Sequence, residues 1–189
     1  MKKLMVALLT LALMSSVAGA ESWIGMFADD AATICDADIG PGVPVNTFLF
    51  AVIDPADFPN GITAAEFRLD NYPVAGADGM VSESFSSQVV IGSLAWDFSI
   101  AWSSPQAPGN VHIGTLTFIA FNGNWIGADH LITVAEGNDC ECLVVVDENY
   151  IQHDVGGGMF TFNCSDAACI CYEGTASAET SWGAVKALF

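Results

Sequence analysis

Six cysteines, at positions 35, 140, 142, 164, 169 and 171, are the side chains best able to do chemistry in this chain. Cys140-x-Cys142 and Cys164-x4-Cys169-x-Cys171 can be drawn as a zinc cluster, but zinc needs thiolates. An even count of cysteines in an exported chain reads first as disulfides, because an oxidising compartment removes free thiols. Residues two apart in a strand point the same way and are poorly placed to bridge each other, so each C-x-C is expected to pair outward. If the strands around Cys142 and Cys164 form a hairpin, these two come opposite one another, and a Cys142–Cys164 bridge is expected. Calcium is the other metal to weigh. Asp29, Asp30, Asp36 and Asp38 lie in one loop region bounded by Gly and Pro, and oxygen-rich loops suit a hard cation. The EF-hand spacing is absent, and in so acidic a chain a solvated loop is the competing reading.

Catalytic signatures are missing. The sequence contains no G-x-S-x-G, no H-E-x-x-H, no Walker loop and no G-x-G-x-x-G following a strand. His112, His130 and His153 are scattered, and with 22 Asp and Glu some carboxylate pair falls at glycosidase spacing by chance. No catalytic residue and no resident cofactor other than calcium is expected. Of Trp23, Trp96, Trp102, Trp125 and Trp182, the pair Trp96 and Trp102 reads as core, sharing a strand face with Phe98 and Ile100. Trp125 follows Asn122-Gly123-Asn124 in a loop and is the candidate for stacking on a sugar.

The elements that must position these groups are strands. Trp96, Phe98, Ile100 and Trp102 alternate with Asp97 and Ser99, and Ala65, Phe67 and Leu69 alternate with Glu66, Arg68 and Asp70. Phe48, Phe50 and Val52 form a third stripe inside 45–53. Such period-two patterns mark strands with one face on a core and one in water. Further strands are predicted over 23–28, 88–91, 111–121, 130–135, 142–146 and 159–163. Breakers such as Pro59-Asn60-Gly61 and Gly156-Gly157-Gly158 separate them. About nine short strands with no helix between them predict an all-β, antiparallel sandwich of the immunoglobulin or cohesin-like kind, with a barrel as the alternative.

The ends differ from this body. Lys2 and Lys3, the apolar run Leu4–Met14 and Ala18-Gly19-Ala20 have the parts of a cleavable signal peptide over 1–20. The run is shorter than the ~20 residues of a membrane-spanning helix, so no transmembrane anchor is expected after cleavage. Export to periplasm, cell surface or medium follows. Residues 21–189 then keep Arg68 and Lys186 against 22 carboxylates, a formal charge of −20. That surface cannot neutralise phosphates, which excludes nucleic acid as a partner, and it is repelled by anionic lipid. A protein or glycan outside the cytoplasm remains. The sandwich is expected over 21–173, then a linker and short helical tail over 174–189. Trp182, Val185 and Phe189 would share one helical face there, and so short a helix needs something to dock on or serves as an address.

Two resemblances bear on these readings. Ile100-Ala101-Trp102 followed by Ile113-Gly114-Thr115-Leu116-Thr117-Phe118, with Ala65-Glu66-Phe67-Arg68-Leu69, resembles cohesin-like modules. The resemblance implies a β-sandwich used in adhesion, scaffolding or carbohydrate recognition. Ile24-Gly25-Met26-Phe27-Ala28-Asp29, Ile62-Thr63-Ala64-Ala65-Glu66-Phe67-Arg68, the late cysteines and the closing Trp182-Gly183-x-x-Lys186-x-Leu188-Phe189 are similar to a group of short exported bacterial proteins with no assigned activity. That similarity implies export from a Gram-negative-type cell. The function expected is a non-catalytic interaction or structural module, with carbohydrate binding as the alternative and a hydrolase as a remote one.

Overall fold

The computed structural model describes residues 21–165 together with Cys169 and Cys171. The expected signal peptide and the tail residues Trp182, Val185 and Phe189 lie outside the described residues. Two sheets face each other across one core, and no helix occurs among the described residues. The first sheet has the order β12 (Gly156–Gly157), β1 (Trp23–Phe27), β3 (Val45–Ile53), β8 (Gly109–Ala120), β5 (Gly79–Phe85). The second runs β11 (Gln152–Asp154), β10 (Val144–Asp147), β4 (Ile62–Asp70), β9 (His130–Ala135), β13 (Met159–Phe162), β2 (Asp36–Ala37). To β4 it adds β7 (Asp97–Gln106), and β7 carries β6 (Val89–Ser93).

The sandwich expectation holds, with two adjustments. Among the described residues thirteen strands form where about nine were expected, because β5, β11 and the two-residue β2 and β12 lack an apolar alternation. The sheets are also mixed, since β1–β12 and β13–β2 pair in parallel.

Alternation puts Ala65, Phe67 and Leu69 of β4 and Phe98 and Ile100 of β7 in the core, all at or below 1 % exposure. They meet Leu116 and Phe118 of β8 and Phe160 and Phe162 of β13, with Phe118 and Phe162 edge-to-face at 4.9 Å. Strand β3 corrects the sequence reading. Its core row is Leu49, Ala51 and Ile53, whereas Phe48 and Phe50 lie on the other face. There Phe50 meets Phe27 at 6.0 Å and His112 at 5.3 Å, an aromatic layer outside the core. The sequence offered two apolar rows on β3, and neighbouring β1, with Ile24 and Met26 inward, decides which faces the core.

A bulge explains the double pattern of β8. Leu49 pairs with Gly114 and Phe50 with His112, so Ile113 is an extra residue in its strand. One inserted residue shifts the alternation by one. Val111 and Ile113 therefore point inward before the bulge and Leu116 and Phe118 after it.

Candidate functional site: the outer face of β4, β7 and β6

The β6–β7 hairpin turns through Leu94, Ala95 and Trp96, closed by a hydrogen bond from the Trp96 amide to the Ser93 carbonyl at 3.1 Å. Leu94 is buried at 1 %, and its carbonyl accepts from the Leu69 amide at 2.6 Å. The hairpin tip is thereby pinned to β4, and the next side chain but one, Trp96, is turned outward with 58 % of its surface exposed. Gly92 sits at φ +83°, where a Cβ would lie 1.8 Å from the Asp97 carbonyl oxygen. Only glycine lets the two strands close so tightly here.

Trp102 and Trp125 are placed differently. Trp102 is half-buried against the core and its Nε1 donates to Ser86 Oγ at 3.0 Å. Trp125, the candidate for stacking on a sugar, packs its indole on Phe118, its Nε1 donates to the Val74 carbonyl at 3.0 Å, and a Cβ on Gly79 would lie 2.1 Å from its ring. Among the described residues the open indole belongs to Trp96, which the alternation assigns to the core. The alternation fails there because the hairpin turn, not the strand, holds Trp96.

A second loop, 136–142, completes the site. Asn138 donates from Nδ2 to the Trp96 carbonyl at 3.1 Å, and the Asp139 amide donates to the Asp97 carboxylate at 3.1 Å. Arg68 of β4 is held by this loop and by its own strand: Nη1 donates to Asn138 Oδ1, and Nε pairs with Asp70 at 3.0 Å. Between the hairpin and this loop runs a trough of about 450 Å³, lined by Glu66, Ile91, Ser93, Trp96, Asp97, Ser99, Asp139 and Cys140 among others. An apolar groove of about 80 Å³ adjoins it, lined by Ala64, Val89, Ile91, Ala101 and Val146. Both lie on one sheet face, because Val89–Ala101–Ala64–Val146 and Ile91–Ser99–Glu66–Val144 are rows of registered partners.

The cysteines pair as Cys35–Cys171, Cys140–Cys142 and Cys164–Cys169, in place of the expected Cys142–Cys164 bridge. The hairpin behind that expectation does not form: β10 pairs with β4 and β11, and β13 with β9 and β2. Cys140-x-Cys142 closes on itself because it is a turn and not a strand. Glu141 takes φ +52° and brings the two Cα atoms to 5.1 Å. Glu66 and the two sulfurs gather within 4.8 Å, the one such cluster among the described residues, but bridged sulfurs offer no thiolate to a metal.

The four aspartates weighed for calcium do not gather into a cluster of that kind. Asp29 serves its own loop. Its Oδ1 accepts from the amides of Thr33 at 2.9 Å and Ile34 at 2.7 Å, and its Oδ2 from the Thr33 hydroxyl at 2.7 Å. Burial pushes the Asp29 carboxyl up, and the Thr33 hydroxyl with these amides holds it below the usual value. Asp30, Asp36 and Asp38 are exposed.

The histidines are engaged separately: His112 with Thr115 Oγ1 at 3.2 Å, His130 with the Asn71 carbonyl at 2.9 Å, His153 with Asp147 Oδ2 at 3.1 Å. His153 also meets Phe58 edge-on at 5.1 Å. None of these contacts sets a nucleophile against a base that a third group orients.

No family model matches the chain, and no curated protein matches it. Among solved structures, the chain is similar to the cohesin module from a Clostridium perfringens family 33 glycoside hydrolase, at 8 % identity and a TM-score of 0.48, over 76 % of this chain and 98 % of the module.

Proposed function

We propose that this protein is an exported, non-catalytic interaction module whose contact surface is the outer face of β6, β7 and β4. The observation that carries this reading is the trough at Trp96: an indole 58 % exposed, beside apolar Ile91 at 70 %, on a hairpin pinned to the core by Leu94. Exposed aromatic anchors on rigid elements are what interaction surfaces are built from. The chemistry on this face is acceptor-rich, with Glu66, Asp97 and Asp139 around the indole. A partner is therefore neutral or cationic, and nucleic acid is disfavoured by like charge.

The signal-like residues 1–20, the three disulfides and the resemblance to short exported proteins support a place outside the cytoplasm. Trp96→Ala is expected to leave the thermal midpoint within about 1 °C while abolishing recovery of the partner that the wild-type protein retains from native culture medium. Equal recovery by both proteins overturns the reading.

Glycan binding is the second reading, favoured by the same exposed indole flanked by carboxylates able to accept from sugar hydroxyls. Indole fluorescence that responds to soluble polysaccharide, and is silent in Trp96→Ala, would establish it over a protein partner. The tail around Trp182, Val185 and Phe189 has its own test. Deleting 176–189 lowers stability if the tail docks, and strands a stable protein in the periplasm if it is an address.

A further inference from the structure

We propose that the free edge of β6 takes up an extended, lysine- or arginine-rich segment of a partner protein as an added strand. The inference rests on the interaction-module reading and names the chemistry of its partner. Among the described residues β6 pairs with β7 on one side and has no strand on the other. An edge with free amides and carbonyls is a template for another chain, and proteins commonly blunt it with charge or proline. The other outer strands follow that practice or are too short to matter. Strands β5, β11 and β2 carry Glu83, Asp154 and Asp36, and β12 is two glycines. Strand β6 is Val-Val-Ile-Gly-Ser, and from Phe85 to Trp96 the chain has no charged residue and no proline, although 14 % of the whole is charged.

Its outward side chains, Val89 at 57 % and Ile91 at 70 % exposure, form the lip of the apolar groove over Ala64, Ala101 and Val146. A strand laid along β6 gains backbone hydrogen bonds from the edge and seats alternate side chains on this lip, the mode of recognition by strand addition. Charge then selects the segment. Long side chains leaning inward across β6 approach Asp97 on neighbouring β7 and enter a trough lined also by Asp139 and Glu66, with the Trp96 indole beside them as a cation–π face. The nearby cation, Arg68, is committed to Asp70 and Asn138 and lies outside the trough lining. A second copy of this chain is a poor occupant, since residues 21–189 carry a formal −20 and would bring more carboxylate to the site. A glycan has no backbone amides with which to use the edge.

The test is an isotope-labelled NMR titration of the purified protein with three synthetic peptides. One alternates threonine and lysine, one has glutamate for lysine, and one is the lysine peptide with alternate amides N-methylated. The lysine peptide is expected to shift the amides of Val89–Ser93 and the Trp96 indole. It should bind roughly tenfold or more tightly than the glutamate peptide, and lose affinity between about 0.05 and about 0.5 M salt. N-methylation and Ile91→Lys should each weaken it roughly tenfold, while Ile91→Thr binds normally. Equal binding of lysine and glutamate peptides, indifference to N-methylation, or shifts that spare β6 would each overturn the proposal. If no peptide binds while Trp96→Ala still abolishes partner recovery, the edge proposal falls and the interaction face stands. If Trp96→Ala has no effect either, both fall.

Discussion

An indole stabilises by burial and is open to a partner only when exposed, and Trp125 and Trp96 differ in burial. Trp125 is wedged between Phe118 and Gly79 and hydrogen-bonded to Val74, so Trp125→Ala is expected to cost about 2–3 kcal/mol in chemical denaturation. Trp96→Ala should cost under about 0.5 kcal/mol, since removing an exposed side chain leaves no cavity. If the two variants lose stability equally, the assignment of roles is wrong. Gly79→Ala should reproduce part of the Trp125 loss, roughly 1–3 kcal/mol, because its Cβ would displace the ring. The Asp29 carboxylate accepts from the Thr33 and Ile34 amides and the Thr33 hydroxyl of its own loop. With those oxygens engaged, the thermal midpoint is expected to be the same in millimolar calcium and in chelator, and a rise with calcium would support the hard-cation reading.

At the scale of the element, the β10–β11 hairpin depends on one carboxylate. Asp147 Oδ1 accepts from the amides of Ile151 at 2.9 Å and Asn149 at 2.8 Å, and Oδ2 meets His153. The Ile151 amide foremost, then His153 and Asn149, hold the Asp147 carboxyl below its ordinary value despite some desolvation. A carboxyl depressed in the folded state stabilises fully above its unfolded value near 4 and loses that contribution as the pH falls through its lower folded value. Thermal melts should therefore show wild type above Asp147→Asn at pH ~6, with the gap closing below pH ~4. A gap that persists at pH ~2 would show that the carboxylate charge is not what holds the turn. The strands themselves show what an alternating pattern does and does not reveal. Strand β4 reads directly because Ala65, Phe67 and Leu69 alternate with charged residues. Strand β5 does not, because Glu83 interrupts the row shared by Val81 and Phe85, and its carboxylate is satisfied by the Tyr72 hydroxyl at 2.8 Å, which no local pattern announces.

At the scale of the molecule, the long disulfide carries more than the short ones. Cys35–Cys171 joins residues 136 apart, and restricting so long an unfolded loop is worth about 3–5 kcal/mol in the chain-entropy account. Replacing both by alanine should lower the denaturation midpoint far more than doing so at Cys140 and Cys142, which are 2 apart. Equal losses would show that the bridges act by local packing. The formal −20 of residues 21–189 also sets a global expectation: added salt screens self-repulsion and should raise the thermal midpoint while it weakens a cationic partner.

Period-two alternation with turn residues between the strands determined an all-β sandwich from sequence alone, because burial of one face leaves a local imprint on each strand. Composition likewise determined the acidity, on which the proposal of a neutral or cationic partner rests. What only the tertiary structure decided are matters of neighbourhood: which row of β3 meets the core, which cysteines meet, and which tryptophan stays open. The Cys142–Cys164 expectation failed because it needed β10 beside β13, and strand order depends on all the pairings at once. Trp96 was assigned to the core because its spacing from Phe98 fits a strand, and only the hairpin tip pinned by Leu94 turns it outward. The proposed contact face is legible only after folding, because residues from β4, β6, β7 and the 136–142 loop become neighbours through pairings between distant segments.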